Sequence, residues 1–238
     1  MTGLGTIVNV LAILAGGFVG LFIKKGLKDS LQDMIMKVLG ISTMFIGASG
    51  ALCGLLTFKD GVLSTKGTML MIFSLVIGSL LGELVRIEDR LDNMGEKLKS
   101  LVKAGKNTHF VEGFVTNTLV VCVGAMAIMG SLQDGLNSDP TTLFAKSILD
   151  GVICIVFTST MGVGAMFAVI PMAIYQGGIT LLAKFIEPYL TDSMVSDMSY
   201  IGSVLIFAIG INLAFGKKFK VGNMLPAIIV PIVYNLIF

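Results

Sequence analysis

Apolar runs of about twenty residues, long enough to cross a bilayer as helices, recur along the whole chain with short charged clusters between them. They cover roughly 4–23, 31–56, 67–86, 113–133, 146–168, 170–187, 198–216 and 221–238. A helix rises ~1.5 Å per residue, so about 20 residues span the ~30 Å hydrocarbon core. Inside that core every backbone amide and carbonyl must be satisfied within its own segment, which makes such runs helical. The expected fold is all-α, a polytopic transmembrane bundle of about eight spans. Charged residues are only 13% of the chain, against about 25% in a soluble domain, so no large soluble domain fits. The opening run, "MTGLGTIVNVLAILAGGFVGLF", has no basic stretch ahead of it. It is read as a retained first span rather than a signal peptide.

The loops carry an orientation signal. Lys24, Lys25, Lys28 and Lys37 follow the first run. Arg86, Arg90, Lys97, Lys99, Lys103 and Lys106 follow the third, and Lys217, Lys218 and Lys220 follow the seventh. Lys59, Lys66, Lys146 and Lys184 are left for the other side. The positive-inside rule then places both termini outside. This requires the fifth and sixth runs to be two crossings joined by a tight turn near Pro171. Ile87, Leu91, Met94, Leu98 and Leu101 recur at helical spacing among charged residues, which predicts an amphipathic helix over 87–102 that packs within the chain or lies on the inner membrane surface.

Polar residues inside the runs repeat. "SLQDMIMKVLGISTMFIGASGA" (30–51) and "SILDGVICIVFTSTMGVGAMFA" (147–168) share Ser30/Ser147, Asp33/Asp150, Ser42/Ser159, Thr43/Thr160 and Gly47/Gly164 at an offset of 117. The first and fourth runs share Gly5/Gly113, Asn9/Asn117 and Gly16/Gly124 at an offset of 108, and the third and sixth share Gly78/Gly177 and Glu88/Glu187 at an offset of 99. Apolar matches arise easily by chance, but the shared Ser, Thr, Asp and Asn do not. Three spans per copy is an odd number, so the copies would be inverted. The expected architecture is an inverted 3+3 repeat plus two terminal helices, and such repeats are common in transporters. The corresponding divisions are 1–86, a cytoplasmic helix and linker at 87–112, the second repeat at 113–197, and the terminal spans at 198–238.

Ser42 lies twelve residues beyond Ser30, and Ser159 twelve beyond Ser147, a helical rise of ~18 Å that brings both Ser-Thr-Met triplets to mid-membrane. Small residues follow each triplet and weaken the helix there. Ser42, Thr43, Ser159 and Thr160 are therefore the candidate oxygen ligands of a midplane site between the second and fifth spans, with Asn9 and Asn117 supplying amides. Packing between helices is the competing role for the same residue types. Asp33 and Asp150 have two readings: intramembrane carboxylates of a proton relay, or helix caps at the interface, since Ser30-x-x-Asp33 and Ser147-x-x-Asp150 have capping-box form. Capping is the expected role, and Lys37 and Lys146, one turn away, could pair with them. Glu83 is expected to pair with Arg86 near the cytoplasmic boundary, and His109 to be a solvated loop residue. Cys53, Cys122 and Cys154 lie in apolar runs without metal or disulfide spacing and are expected to be buried free thiols.

No metal-ligand cluster, phosphate-binding loop or catalytic triad is present in the sequence. An enzyme, a cofactor and a nucleic-acid partner are not expected. The bilayer and a small ion or solute are, and glycine pairs such as Gly16/Gly20, Gly50/Gly54 and Gly78/Gly82 could serve a homo-oligomer. Taken together, Asn9 with Gly16-Gly17, "GSLLGELVRIEDRLDNMG" (78–95), "TSTMGVGA" (158–165) and "GINLAFGKKFKVGNMLPAI" (210–228) resemble the bacterial "domain of unknown function 554" family of YdfK/YqgA-type multi-pass membrane proteins. The resemblance covers essentially the whole chain. It implies a bacterial cytoplasmic membrane setting and carries no substrate or binding residues with it. The expected function is a secondary transporter of an ion or small solute. The alternatives are a passive channel built from a small oligomer and a non-transporting regulatory membrane protein.

Overall fold

The computed structural model describes residues 1–24, 28–59, 61–105 and 109–237. In chain order these form α1 (Leu4–Lys24), α2 (Asp29–Leu55), the hairpin β1 (Leu56–Lys59) and β2 (Val62–Thr65), α3 (Thr68–Val85) and α4 (Ile87–Leu101). They continue with α5 (Phe110–Cys122), α6 (Ala125–Asn137), α7 (Thr141–Met161), α8 (Val169–Ile186), α9 (Asp192–Phe215), α10 (Val221–Met224) and α11 (Val230–Ile237). Short 3-10 helices occupy Val163–Ala168, Glu187–Tyr189 and Leu225–Ile228. The hairpin is antiparallel, with Leu56 opposite Thr65 and Lys59 opposite Val62.

Among the described residues, six helical segments are long and apolar enough to cross a bilayer: α1, Ser30–Leu55 in α2, α3, α7, Val163–Ile186 and α9. Large apolar side chains such as Phe45, Leu84 and Leu181 stand more than 70% exposed on them, a surface suited to lipid rather than water. The chain is a helical membrane bundle. Its fourth predicted span is not one rod. It is the pair α5 and α6, bent by 60° where Gly124 takes a φ of 146°, a conformation open to glycine. The eighth is a shorter apolar stretch, Val221–Asn235, interrupted by a 3-10 helix with Pro226 in its first turn.

The turn expected near Pro171 lies instead at Gly162, which has a φ of 91°. Pro171 falls in the first turn of α8, where the missing amide costs no helical hydrogen bond. The amphipathic segment forms α4. A break at Arg86, held in the left-handed region with its amide bonded back to Glu83, separates it from α3.

The helices sort into two contact units, each of two chain segments: Met1–Met36 with Arg90–Tyr189, and Lys37–Asp89 with Leu190–Phe238. In the first, α1 and α7 lie parallel. Gly5 meets Leu143, Gly16 meets the Gly151 carbonyl, and Gly20 meets the Ile155 carbonyl. A Cβ at Gly16 would overlap the backbone of α7; only glycine permits this approach. Ile13, Val121, Cys154, Ala168 and Met172 close the apolar core from five elements. Asp134 of α6, fully buried, accepts the amides of Gly3 (3.2 Å) and Gly5 (3.0 Å), which satisfies part of the α1 N-terminus.

In the second unit, Gly40, Gly47 and Gly54 of α2 meet Ala214, Phe207 and Tyr200 of α9, so the two helices are antiparallel. Gly78 and Gly82 of α3 meet Ala227 and Asn223. Tyr200, 1% exposed, donates its hydroxyl to the Gly67 carbonyl at 3.1 Å. The glycine pairs proposed from sequence for packing are thus occupied within the chain.

Candidate functional site

One face of α7 carries Lys146, Asp150, Cys154 and Thr158, each four residues from the next. That spacing stacks them on a single side of a helix, and all four are buried. Lys146 Nζ donates to the Val121 carbonyl at 2.8 Å and to Asp150 Oδ2, with which it forms an ion pair. Asn9 of α1 donates Nδ2 to Asp150 Oδ2 at 2.9 Å and to Gln176 Oε1 of α8 at 3.1 Å, with Met172 Sδ at 3.6 Å. The Asp150 carboxylate is bonded by α7 and α1 directly, and α5 and α8 are tied to it through Lys146 and Asn9.

Asp150 lies nine residues past the start of α7, a rise of about 14 Å, roughly halfway along the helix. A charge at such depth is costly unless paired, which makes ionisable residues there rare and commonly functional. The Val121 carbonyl is available because α5 stops at Cys122, and the last carbonyls of a helix have no intrahelical donor. The bend between α5 and α6 thus creates the acceptor that Lys146 uses.

Thr6 Oγ1, Asn9 Oδ1, Asn117 Oδ1, Thr118 Oγ1, Gln176 Nε2 and Thr180 Oγ1 are buried and have no hydrogen-bond partner among the described residues. All belong to the first unit; among the described residues of the second, Ser74 Oγ is the one such atom. Two of these atoms, Asn9 Oδ1 and Gln176 Nε2, belong to side chains of the cluster.

The residues expected from sequence divide. Asn9 is in the cluster. Asn117, fully buried, donates to the Ala165 carbonyl at 2.8 Å and ties down the 3-10 helix. Ser159 Oγ and Thr160 Oγ1 bond to the Val156 carbonyl of their own helix, at 2.8 and 3.0 Å. The Thr160 carbonyl accepts Lys24 Nζ at 2.6 Å. The chain does break just behind this triplet, at Gly162. Behind the other triplet it does not: α2 runs unbroken, with Ser42 exposed and Thr43 buried, and both belong to the other unit.

The capping reading of Asp150 is overturned. α7 begins at Thr141, where Asp139 accepts both the Thr141 amide (3.0 Å) and its hydroxyl (2.6 Å). Those bonds hold the Asp139 carboxyl below the usual range. Ser147 is already inside the helix and bonds the Leu143 carbonyl. Asp33, by contrast, is exposed near the start of α2. His109 is exposed and lies 2.9 Å from Glu112. Of the thiols, Cys154 is buried and Cys122 half-buried, while Cys53 is exposed on α2. Gln176 of α8 is the member that sequence alone does not mark. Lys146 and Asp150 are marked by their one-turn spacing, but the role expected from it is a cap with an ion pair, not a buried site.

The second unit holds a different charged cluster. Glu83 pairs with Lys220 at 2.8 Å and accepts Asn223 Nδ2 at 2.6 Å, so its partner is Lys220 and not Arg86. Glu88, 4% exposed, accepts the Gly222 amide at 2.8 Å and pairs with Lys217 at 2.6 Å. Asn223 Oδ1 accepts the Glu88 amide at 2.7 Å. Asn212 accepts the amides of Lys218 and Phe219. The Glu83 hydrogen bond holds Lys220 above the usual lysine range. An adjoining cavity of about 580 Å³ is lined by Leu75, Val76, Leu80, Glu83, Lys220 and Met224 among others.

The "GELVRIED" and "GKKFKVGN" segments are far apart in sequence and meet in this second cluster. The model of the family described as Protein of unknown function (DUF554) matches residues 4–236. The chain belongs to the DUF554 family. Among DUF554 relatives, the uncharacterized membrane protein YdfK of Bacillus subtilis (strain 168) is 31% identical over 227 residues, 95% of this chain and 93% of the relative. The uncharacterized protein YqgA of Escherichia coli (strain K12) is 27% identical over 230 residues, again 95% of this chain and 93% of the relative. No solved structure matches this DUF554 chain significantly.

Proposed function

We propose that the chain is a secondary transporter of an ion or small solute in the bacterial cytoplasmic membrane, with both termini outside. Its site is the buried cluster of Lys146, Asp150, Asn9 and Gln176. The carrying observation is an ion pair buried halfway along an apolar helix, bound to the open end of a broken one. Broken helices that present backbone carbonyls to a midplane site are a recurring transporter device. The polar repeat in the sequence supports the same reading. The site moves from the hydroxyls between the second and fifth spans to α1, α5, α7 and α8, because the Ser159 and Thr160 hydroxyls bond to their own helix.

The channel alternative drew on glycine pairs for oligomer packing, and those glycines contact helices of the same chain. Purified protein in liposomes, challenged with a panel of ions and small solutes, tests the proposal. Saturable uptake is expected, lost in Asp150→Asn and retained in Ser159→Ala. Retained uptake in a folded Asp150→Asn protein would move the site elsewhere. Currents at single-channel rates would favour the channel.

A further inference from the structure

A buried carboxyl that reversibly takes up a proton needs surroundings that hydrogen-bond both of its forms. A carboxylate only accepts, whereas a carboxylic acid also donates. A primary amide can serve either, because it has a donor end and an acceptor end. Asp150 is backed by two such amides in series. Asn9 turns its donor end to the carboxylate, and the same Nδ2 reaches Gln176 Oε1. The atoms left over are Asn9 Oδ1, an acceptor, and Gln176 Nε2, a donor. They complement each other and sit on side chains already in contact. If both amides rotate, Asn9 Oδ1 can accept the Asp150 hydroxyl and Gln176 Nε2 together. The bonds to Asp150 and Gln176 are both replaced with the opposite polarity, and only the longer contact to Met172 Sδ is given up.

We infer that the coupling ion of this transporter is the proton, carried on Asp150 and accommodated by reversal of the Asn9–Gln176 amide pair. The inference rests on the transporter reading and names its driving ion. On uptake, a proton from the aqueous side bonds to an Asp150 carboxylate oxygen, and only hydrogen bonds are exchanged. The cluster gains one positive charge, and release reverses each change. Lys146 then faces a neutral acid and keeps the Val121 carbonyl as its strong acceptor. Uptake thereby weakens the ion pair within α7 and leaves the Lys146–Val121 bond to the end of α5 as the ammonium's main tie, beside the bend at Gly124.

The groups around Asp150 fit this assignment. On α7 they are Lys146 and Cys154. α5 brings Cys122 and the Val121 carbonyl, and α8 brings Gln176, with Tyr175 close to Cys122. α1 brings Asn9, while its Lys24 is bound at the far end to the Thr160 carbonyl. On α6, Asp134 is engaged by the Gly3 and Gly5 amides. Among the described residues no second carboxylate is bonded to the pair.

Infrared difference spectroscopy of the full chain in lipid, titrated with pH and grown with asparagine labelled at its side-chain carbonyl, tests this without any transported solute. A protonated-carboxyl band is expected to appear as pH falls and to vanish in Asp150→Asn. If that variant does not fold, Lys146→Met/Asp150→Asn, which removes both charges, assigns the band. A labelled amide band absent from Asn9→Leu is expected to shift with the same midpoint. No Asp150-dependent band across the range where the protein stays folded would overturn the inference. So would a carboxyl band that titrates while the Asn9 band stays still. Solute uptake indifferent to a pH gradient would remove the coupling and leave the transporter. A titrating pair in a protein that moves no solute of the panel would do the reverse.

Discussion

The two units place similar charges in opposite settings. In the first, Lys146 and Asp150 are buried against Asn9, Gln176 and a helix end. In the second, Glu83 and Lys220 are more than half exposed and lie beside the Gly216–Lys220 turn. A buried pair is expensive to form and more expensive to break, because removing one partner strands the other in low dielectric. An exposed pair is screened and contributes little. The buried pair therefore calls for an account of its use, while the exposed pair needs only a structural one. The units also differ in how their helices meet. The second relies on the Gly40–Gly47–Gly54 series and on Gly78 and Gly82, whereas the first adds a polar interior to its glycine contacts.

The largest expected effect is at the buried pair. Lys146→Met or Asp150→Leu alone should cost about 3–5 kcal/mol, read as a lowered unfolding midpoint in detergent. The double variant should recover most of that loss. Single variants no worse than Glu83→Gln would erase the contrast between the two pairs. Next in size are the glycine steps. Gly47→Leu or Gly82→Leu drives a side chain into the opposing backbone and should cost about 1–3 kcal/mol. Gly177→Ala, with nothing within 4 Å of its new Cβ, should not lower the midpoint and should raise it slightly, because alanine favours a helix interior over glycine. Tyr200→Phe removes one hydrogen bond to Gly67 and should cost about 1 kcal/mol in the same assay.

The smallest effect belongs to the exposed pair, and it has a pH signature. The Glu83 bond raises Lys220 above the usual lysine range. Its contribution is therefore complete below the ordinary lysine pKa and fades as pH climbs through the raised value. Glu83→Gln should flatten that alkaline decline and change little near neutrality. Asp139 has the opposite sign. Its bonds from Thr141 lower it, so its contribution is complete above the ordinary carboxylate range and is lost on acidification through the lowered value. Thr141→Val should flatten that acid decline, read as a shallower dependence of the unfolding midpoint on pH in the acid range.

The sequence was informative where one physical constraint dominated. The extents of α1, α2 and α3 follow from the length of an apolar run, and α4 from its apolar spacing. The bend at Gly124 was hidden because Val123 and Gly124 lie inside a run that continues without a polar mark. The misplacement of Asp150 came from a few residues. The apolar run read from sequence begins at 146, whereas α7 begins at Thr141. That change of five residues moved the carboxylate from the helix interior to its supposed end. The repeated Asp therefore has different surroundings in its two positions, exposed at Asp33 and buried at Asp150. A polar residue's identity is readable from sequence; its depth depends on where its helix begins.

The second unit draws on residues 37–89 and 190–238. Gly40, Gly47 and Gly54 are thus translated well before the α9 surface they fit. At ribosomal speeds of about 5–20 residues per second, the intervening hundred or so residues take on the order of ten seconds. During that wait α2 and α3 must remain in the bilayer without their eventual partners. Biogenesis of this protein therefore passes through a stage in which narrow glycine seams are bare, and lipid or an insertion factor must cover them until α9 and α10 arrive.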